Sequence, residues 1–351
     1  MKILIVSNMF PSKKYPSAGI FVYRFCEILN VIGISYSKSV MQWTTNKYRK
    51  VLNYMSFYIK TFVHCVLGRF DKVYIHYASH SSAPVLLAYR IRKFSIITNC
   101  HGSDVVPENS KQEKMQKYTK SILAVSDKVV VPSEYFKELV SSKYSIDKNK
   151  IIVSPSGGVN KRIFYKEKDR ESGNELKIGF VGRISYKKGL DTLLKACSML
   201  SIPYSLMIVG NGPEYQDMKK LVDELGLNEK IEWLDLQPQE ELRHIYNNLD
   251  AFIFPTERDG ESLGLVAIEA MACGTPVIAS DHAAPKYYVK DGVNGYKFTM
   301  GDENALYDTI TKFAGLSDDE RRTMSDECLK CAEAYSVENC ISIIKDDIFE
   351  V

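Results

Sequence analysis

Two runs of alternating strand-like and helix-like segments, separated by one polar stretch, constrain this chain more than any other feature. In the first run, residues 2–7 (KILIVS) form a continuous apolar strand, followed by a loop with two prolines and a helical pattern from about Gly19 to Val31. Lys72–His76, Ser95–Asn99, Lys128–Val131 and Ile151–Val153 are short runs rich in Val and Ile, with helical patterns between them. Ser133, just after Pro132, has the chemistry of an N-cap for a helix over Ser133–Ser142. Apolar strands alternating with helices imply a mostly parallel sheet covered on both faces.

Residues 154–175 (SPSGGVNKRIFYKEKDRESGNE) interrupt the pattern with charged and turn-forming residues, the composition of a linker. The cycle then restarts. Residues 176–182, 205–209, 230–233, 251–254 and 276–279 read as strands. Helices are expected over 188–200, from Glu214, over 263–272 and through the tail from about Asp302, with a last segment over 337–349. The expected organisation is an N-terminal domain over 1–165 and a C-terminal domain over 166–335, with the final helix at about 336–351 packing back onto the first. Doubly wound sheets bind ligands beyond the carboxyl ends of their strands, so two such sheets facing each other would place a site in the cleft between them.

Charge separates the two halves. The whole chain carries a net +3, with 46 Lys+Arg against 43 Asp+Glu. Residues 1–165 hold 25 basic and 9 acidic residues, a net of +16, which leaves 21 basic and 34 acidic residues, a net of −13, for the rest. A basic half favours an anionic partner: a membrane surface, a phosphorylated acceptor or nucleic acid. The bland alternative is a solvated basic surface. Nucleic acid is set aside because no recognition motif is present and the cations are not interleaved with stacking aromatics.

Most of the eight cysteines lie inside apolar runs and read as small buried hydrophobes. The Cys328-x-x-Cys331 pair has no second pair or nearby His to complete a zinc set. A reduced, cytoplasmic protein is the expectation. The opening MKILIVS is too short an apolar run for a signal peptide. The longest apolar stretch, Val51–Gly68, carries Lys60 and His64 and falls short of a membrane span; a buried helix and a helix lying on a membrane surface are its two readings.

Two segments carry chemistry. In GRISYKKG (182–189), Arg183 and Lys188 sit at a strand-to-helix turn, where side-chain cations and first-turn amides can converge on an anion. Neither GxxxxGK[ST] nor GxGxxG is present, and exposed basic residues at a helix start are the plain alternative. In ERDGESLGLVAIEAMACGTPVIAS (257–280), Glu261 lies in a loop and Glu269 eight residues on, inside an apolar helix, with Gly264 and Leu265 between them. A carboxylate in such a run needs a partner. A pair of ribose hydroxyls and a basic neighbour both qualify, and amides near Gly264 can hold sugar hydroxyls or phosphate.

This second segment resembles the EX7E signature of retaining glycosyltransferases of the GT-B fold, family four, with Ser262 and Leu263 where Gly-Phe is usual. HGSD (101–104), SGGVNKRIF (156–164), FVGRISYKKG (180–189), IVGNGPEY (208–215) and DGVNGYKF (291–298) resemble further segments of that family, in the family's order. Ala283–Ala284 and Lys286 depart from its usual glycine pair and Pro-Glu.

The resemblance implies two Rossmann-like domains facing across a cleft. It places Arg183 and Lys188 on the diphosphate of a nucleotide-sugar and Glu269 on the ribose. Glu261, with Ser262, Leu263, Gly264 and Leu265, would hold the transferred sugar, and His101 would lie beneath it. Gly19 would let the loop after the first strand approach the phosphates or the acceptor. Gly210–Pro213 and the Leu234–Leu236 segment would lie near the base. His101, Arg183, Lys188 and Glu261 are thus the catalytic candidates. The family transfers with retention, here by a front-face route, since no side chain is an evident nucleophile. No Asp-x-Asp metal motif is present, and Arg183 and Lys188 can replace a cation, so no metal and no cofactor beyond the nucleotide-sugar co-substrate is expected.

A UDP-sugar is the expected donor, and a saccharide or polyprenyl-diphosphate-linked saccharide the expected acceptor, as in surface-polysaccharide biosynthesis. The expected location is cytoplasmic, with the basic half contacting the inner face of the membrane. The competing reading is a non-catalytic nucleotide-sugar or polysaccharide-binding module of the same fold. The complete set Arg183, Lys188, Glu261 and Glu269 argues against it.

Overall fold

A computed structural model of the protein describes residues 1–15, 18–168 and 173–351. The chain divides into two units, Met1–Gly157 with Cys340–Val351, and Gly158–Asn339.

In the N-terminal unit the order is β1 (Lys2–Phe10), α1 (Ile20–Val31), β2 (Ser35–Gln42), α2 (Lys47–Leu67), β3 (Lys72–His76), α3 (Ser82–Ile91), β4 (Ser95–Asn99), α4 (Ser110–Val125), β5 (Lys128–Val131), α5 (Glu134–Tyr144) and β6 (Ile151–Val153). The six strands pair in parallel in the order β2-β1-β3-β4-β5-β6. In β1, Leu4 and Val6 enter one apolar cluster with Val73 and Ile75, while Ile3 and Ile5 enter another with Val22, Phe25 and Leu29 of α1. Side chains alternate across a strand, so a sheet covered on both faces demands an unbroken apolar run.

The C-terminal unit runs β7 (Leu176–Val181), α6 (Leu190–Ser198), β8 (Tyr204–Val209), α7 (Tyr215–Glu224), β9 (Ile231–Leu234), α8 (Gln239–Asn248), β10 (Ala251–Phe254), α9 (Leu265–Ala272), β11 (Val277–Ser280), α10 (Pro285–Tyr288), β12 (Gly295–Phe298), α11 (Glu303–Ala314) and α12 (Asp318–Glu333). Its six parallel strands stand in the order β12-β11-β10-β7-β8-β9. The chain returns through α13 (Val337–Ser342), and Ile343–Phe349 continue it with π-helical winding. Cys340, Ile344, Ile348 and Phe349 join the core of the N-terminal unit beside Tyr74 and Phe25, and Lys128 Nζ donates to the Asp347 carbonyl at 2.6 Å.

Several elements differ from the pattern read above. The first crossing falls at Gly157/Gly158, earlier than 165/166. Val159 N donates to Tyr335 O at 2.8 Å, and buried Phe164 packs on Tyr246 with ring centroids 6.1 Å apart, so this part of the polar stretch is built into the second unit. Residues 169–172 of that stretch lie outside the described residues. The edge strands β2 and β12 were not anticipated. β2 alternates serine with larger residues and buries only Ser39 and Met41, and β12 is four residues in a turn-rich segment. Helix α2 starts before the apolar stretch Val51–Gly68 and is half-buried: Phe57, Thr61 and Cys65 enter the core while much of the rest faces solvent. Among the described residues no helix is long and apolar enough to cross a membrane.

Candidate functional site

In the C-terminal unit the chain starts in the middle of the sheet. It moves outward through β8 and β9, then returns to the other side of β7 at β10. The loops after β7 and β10 therefore part in opposite directions, which opens a crevice at the strands' carboxyl ends. Arg183 follows β7 directly and is exposed. Lys188, five residues on, reaches across to the loop after β10, where its Nζ lies 2.6 Å from Glu261 Oε2. Thr256 Oγ1 donates to the same oxygen at 3.3 Å, and Arg258 Nη1 stands 3.8 Å from it. Glu257 N bonded to Lys187 O at 2.8 Å fastens the two loops together. The Lys188 and Glu261 side chains are 14% and 11% exposed, so water screens the pair poorly.

Two helices point their first turns into this region. Gly189 is the N-cap of α6 and Gly264 the N-cap of α9; both are left-handed, and neither helix has a side-chain cap. In α9 the amides of Leu265 and Val266 have no side-chain cap, while Ala267 N donates to Gly264 O at 2.9 Å; such uncapped amides can take an external acceptor. Gly264 cannot be replaced cheaply: at φ +76, a Cβ would lie 2.7 Å from the Phe254 ring. Ser262 is half-buried, whereas Leu263 is buried at 2% exposure.

Glu269 lies in the body of α9 and is 9% exposed. Tyr246 Oη donates to its Oε2 at 3.5 Å, and burial raises the Tyr246 hydroxyl well above its ordinary pKa. Gly210 ends β8 by lying against the loop after β7. At φ +137, a Cβ there would stand 2.0 Å from the Gly182 carbonyl oxygen. Only glycine lets these two backbones meet, and Ile184 N donating to Asn211 O at 3.1 Å continues the contact. Leu236, beyond β9, is 78% exposed.

In the N-terminal unit the strand order changes direction between β1 and β3. Gly19 is the left-handed N-cap of α1, which also lacks a side-chain cap. His76 ends β3, and His101 follows β4. His76 Nδ1 and His101 Nε2 are hydrogen-bonded at 3.1 Å, and the Phe21 ring of α1 packs on His101, tilted by 38°, with centroids 4.1 Å apart. Burial and the neighbouring ring push His76 well below its ordinary pKa, and burial pushes His101 down to about 3. Both rings are therefore neutral near pH 7. Asp104, fully buried, accepts from the amides of His101, Gly102 and Ala78 at 3.0, 2.8 and 2.9 Å, so it organises the loop that presents His101. Its carboxyl is raised by burial, with these amides acting against the rise.

The structure thus brings Arg183, Lys188, Glu261, Ser262, Gly264, Leu265 and Gly210 to the carboxyl ends of β7, β8 and β10, with Glu269 behind them in α9. Gly19 and His101 belong to the other unit. Thr256, Gly189, Tyr246 and His76 were not singled out from sequence. The one signal available was a polar residue ending an apolar strand, as His76 does. Ala283, where the resemblance led us to expect glycine, is held at φ +51. Cys328 and Cys331 direct their thiols at the carbonyls of Asn294 and Tyr288, at 3.1 and 3.7 Å.

Residues 161–327 match the family of glycosyl transferases group 1, and residues 33–157 match glycosyltransferase family 4. The two matches meet where the units divide. An uncharacterized glycosyltransferase of Methanocaldococcus jannaschii is 28% identical over 272 residues, 77% of this chain and 73% of that protein. A D-inositol 3-phosphate glycosyltransferase of Corynebacterium urealyticum is 35% identical over 174 residues, 46% of this chain, and the match spans only 40% of that protein. The crystal structure of Anabaena HepE in complex with UDP superimposes with a TM-score of 0.77 at 17% identity, covering 100% of both chains, a likeness of fold.

Proposed function

Since the chain belongs to the group 1, family 4 glycosyltransferases and has their two-unit GT-B fold, we propose that it moves a sugar from a UDP-sugar to a saccharide or lipid-linked saccharide acceptor, with retention at the anomeric carbon and without a metal. The Lys188–Glu261 pair at the switch point of the second sheet carries this reading. A cation held there by one carboxylate is poised to exchange that partner for a diphosphate. HepE, of the same fold, is a UDP complex, which supports UDP as the nucleotide.

In this reading Arg183 and Lys188 take up the negative charge that grows on the leaving phosphate as the glycosidic bond breaks, where fixed cations accelerate most. The amides at the start of α9 hold the transferred sugar with Glu261, and Glu269 accepts from the ribose hydroxyls. Leu236 and the Gly210 turn flank the base. Transfer follows a front-face course: the bond from the anomeric carbon to phosphate oxygen breaks, the acceptor oxygen bonds to the same face, and its proton passes to the departing phosphate oxygen. His101, neutral, orients the sugar by hydrogen bonding rather than by charge. Seven of the eight cysteines are buried, which supports a reducing, cytoplasmic setting.

The test is thermal stabilisation by UDP, GDP and ADP in the wild type and in Lys188→Ala, with and without a chelator. Stabilisation by UDP that the variant loses and the chelator leaves intact is expected. No stabilisation by any nucleotide at millimolar concentration would remove the proposed site and favour a non-catalytic module.

A further inference from the structure

Helix α2 is apolar on two sides, whereas packing needs only one. Phe57, Thr61 and Cys65 enter the core. On the opposite side Val51, Leu52, Met55 and Ile59 are 60%, 64%, 56% and 64% exposed, with Tyr48 before them and Leu67 after. At about 100° per residue these positions form one outward stripe along the helix. Leu87 and Ile91 of α3 are exposed as well. Arg92 Nη1 donates to the carbonyls of Val66 and Gly68 at 3.2 and 2.7 Å, which brings Ile91 beside the end of α2 that carries Leu67. Single exposed apolar residues are ordinary; a contiguous stripe marks an interaction surface.

The charges around it identify the partner. Between Trp43 and Lys93 the chain has nine Lys or Arg and one acid, Asp71, whose carboxylate already receives Lys2 N at 2.6 Å. Lys47, Arg49, Lys50, Lys60, Arg90, Arg92 and Lys93 are all exposed. A second copy of the chain would set this cationic rim against itself in a two-fold interface. An anionic lipid surface satisfies both features at once, with the apolar stripe at the acyl boundary and the cations among the headgroups.

We propose that the outward face of α2 and the end of α3 dock the protein onto an anionic bilayer, without crossing it. This surface shares no residue with the sugar-nucleotide site, so its failure would leave that assignment standing.

The full chain is to be sedimented with vesicles of phosphatidylcholine alone and of phosphatidylcholine mixed with phosphatidylglycerol. Binding to the anionic vesicles, weakened by salt and reduced at least about tenfold by the double variant Leu52→Ser/Ile59→Ser, is expected. Both positions are exposed, so the melting temperature and the nucleotide response of the variant should match the wild type. A second variant, Arg49→Glu/Lys60→Glu, should lose anionic binding while keeping the stripe. Absence of vesicle binding, or equal binding by wild type and variants, overturns the proposal. So does a wild-type dimer that Leu52→Ser/Ile59→Ser dissociates in the absence of lipid, which would assign the face to a second copy.

Discussion

Neutralising the Lys188–Glu261 pair one side at a time, and then both together, separates what the pair does for folding from what it does for transfer. Removing one partner of a buried ion pair costs about 3–5 kcal/mol when nothing replaces it. Here Thr256 and Arg258 remain beside Glu261 at 3.3 and 3.8 Å, so Lys188→Met should cost about 2 kcal/mol. For a unit of this size that lowers the melting temperature by about 4–8 °C. The double variant Lys188→Met/Glu261→Gln leaves no charge unpaired and should return to within about 1 kcal/mol of the wild type, a coupling of about 1–2 kcal/mol. Transfer should not return with it: losing a cation that meets the leaving group lowers kcat/KM by about 10²–10³-fold. Urea unfolding of the four proteins without nucleotide, beside initial rates with a UDP-sugar, reads both quantities. If the double variant is as unstable as the two single losses summed, the pair is not coupled. If it keeps transfer within tenfold of wild type, Lys188 does not carry leaving-group charge.

Two further perturbations test the rest of the geometry. His101 is held neutral in the fold with its pKa near 3, against about 6.5 unfolded. Protonation therefore favours the unfolded chain, and stability is lost as pH falls below about 6.5, by about 1.4 kcal/mol per unit until pH 3. Asp104, raised by burial, works in the opposite sense, so the measurement is a difference. The drop in unfolding free energy between pH 7.5 and 5 should be smaller in His101→Asn than in wild type by about 2 kcal/mol, and an equal drop would place His101 in water. Gly210→Ala would set a Cβ 2.0 Å from the Gly182 carbonyl oxygen, and it should destabilise the C-terminal unit by at least about 3 kcal/mol and weaken nucleotide binding through the displaced Arg183 loop. A melting temperature within a degree of wild type would show that the two loops can separate freely.

Much of the fold was legible because buried parallel strands write themselves as unbroken apolar runs. The limits of β3, β4, β5 and β6 coincide with the runs that end at His76, Asn99, Val131 and Val153. The edges were not legible. β2 buries too few residues to show a pattern, and β12 is hidden among turn residues. The division of the chain was displaced because Val159 and Phe164, inside a polar stretch, find their partners in Tyr335 and Tyr246, far along the sequence.

The same contrast runs through the site. Sequence alone determined which residue types stand after each strand: Arg183 and Lys188 at one turn, Glu261 at another, glycine where helices begin. These are local properties, set by spacing and backbone freedom. That Lys188 meets Glu261, that Gly210 lies on the Gly182 carbonyl, that His101 rests against His76 and Phe21, and that α2 leaves one apolar face uncovered were decided by the tertiary structure. Strand order brings distant loops together, and neither a pair's distance nor a group's contact with water is a property of neighbouring residues in the chain.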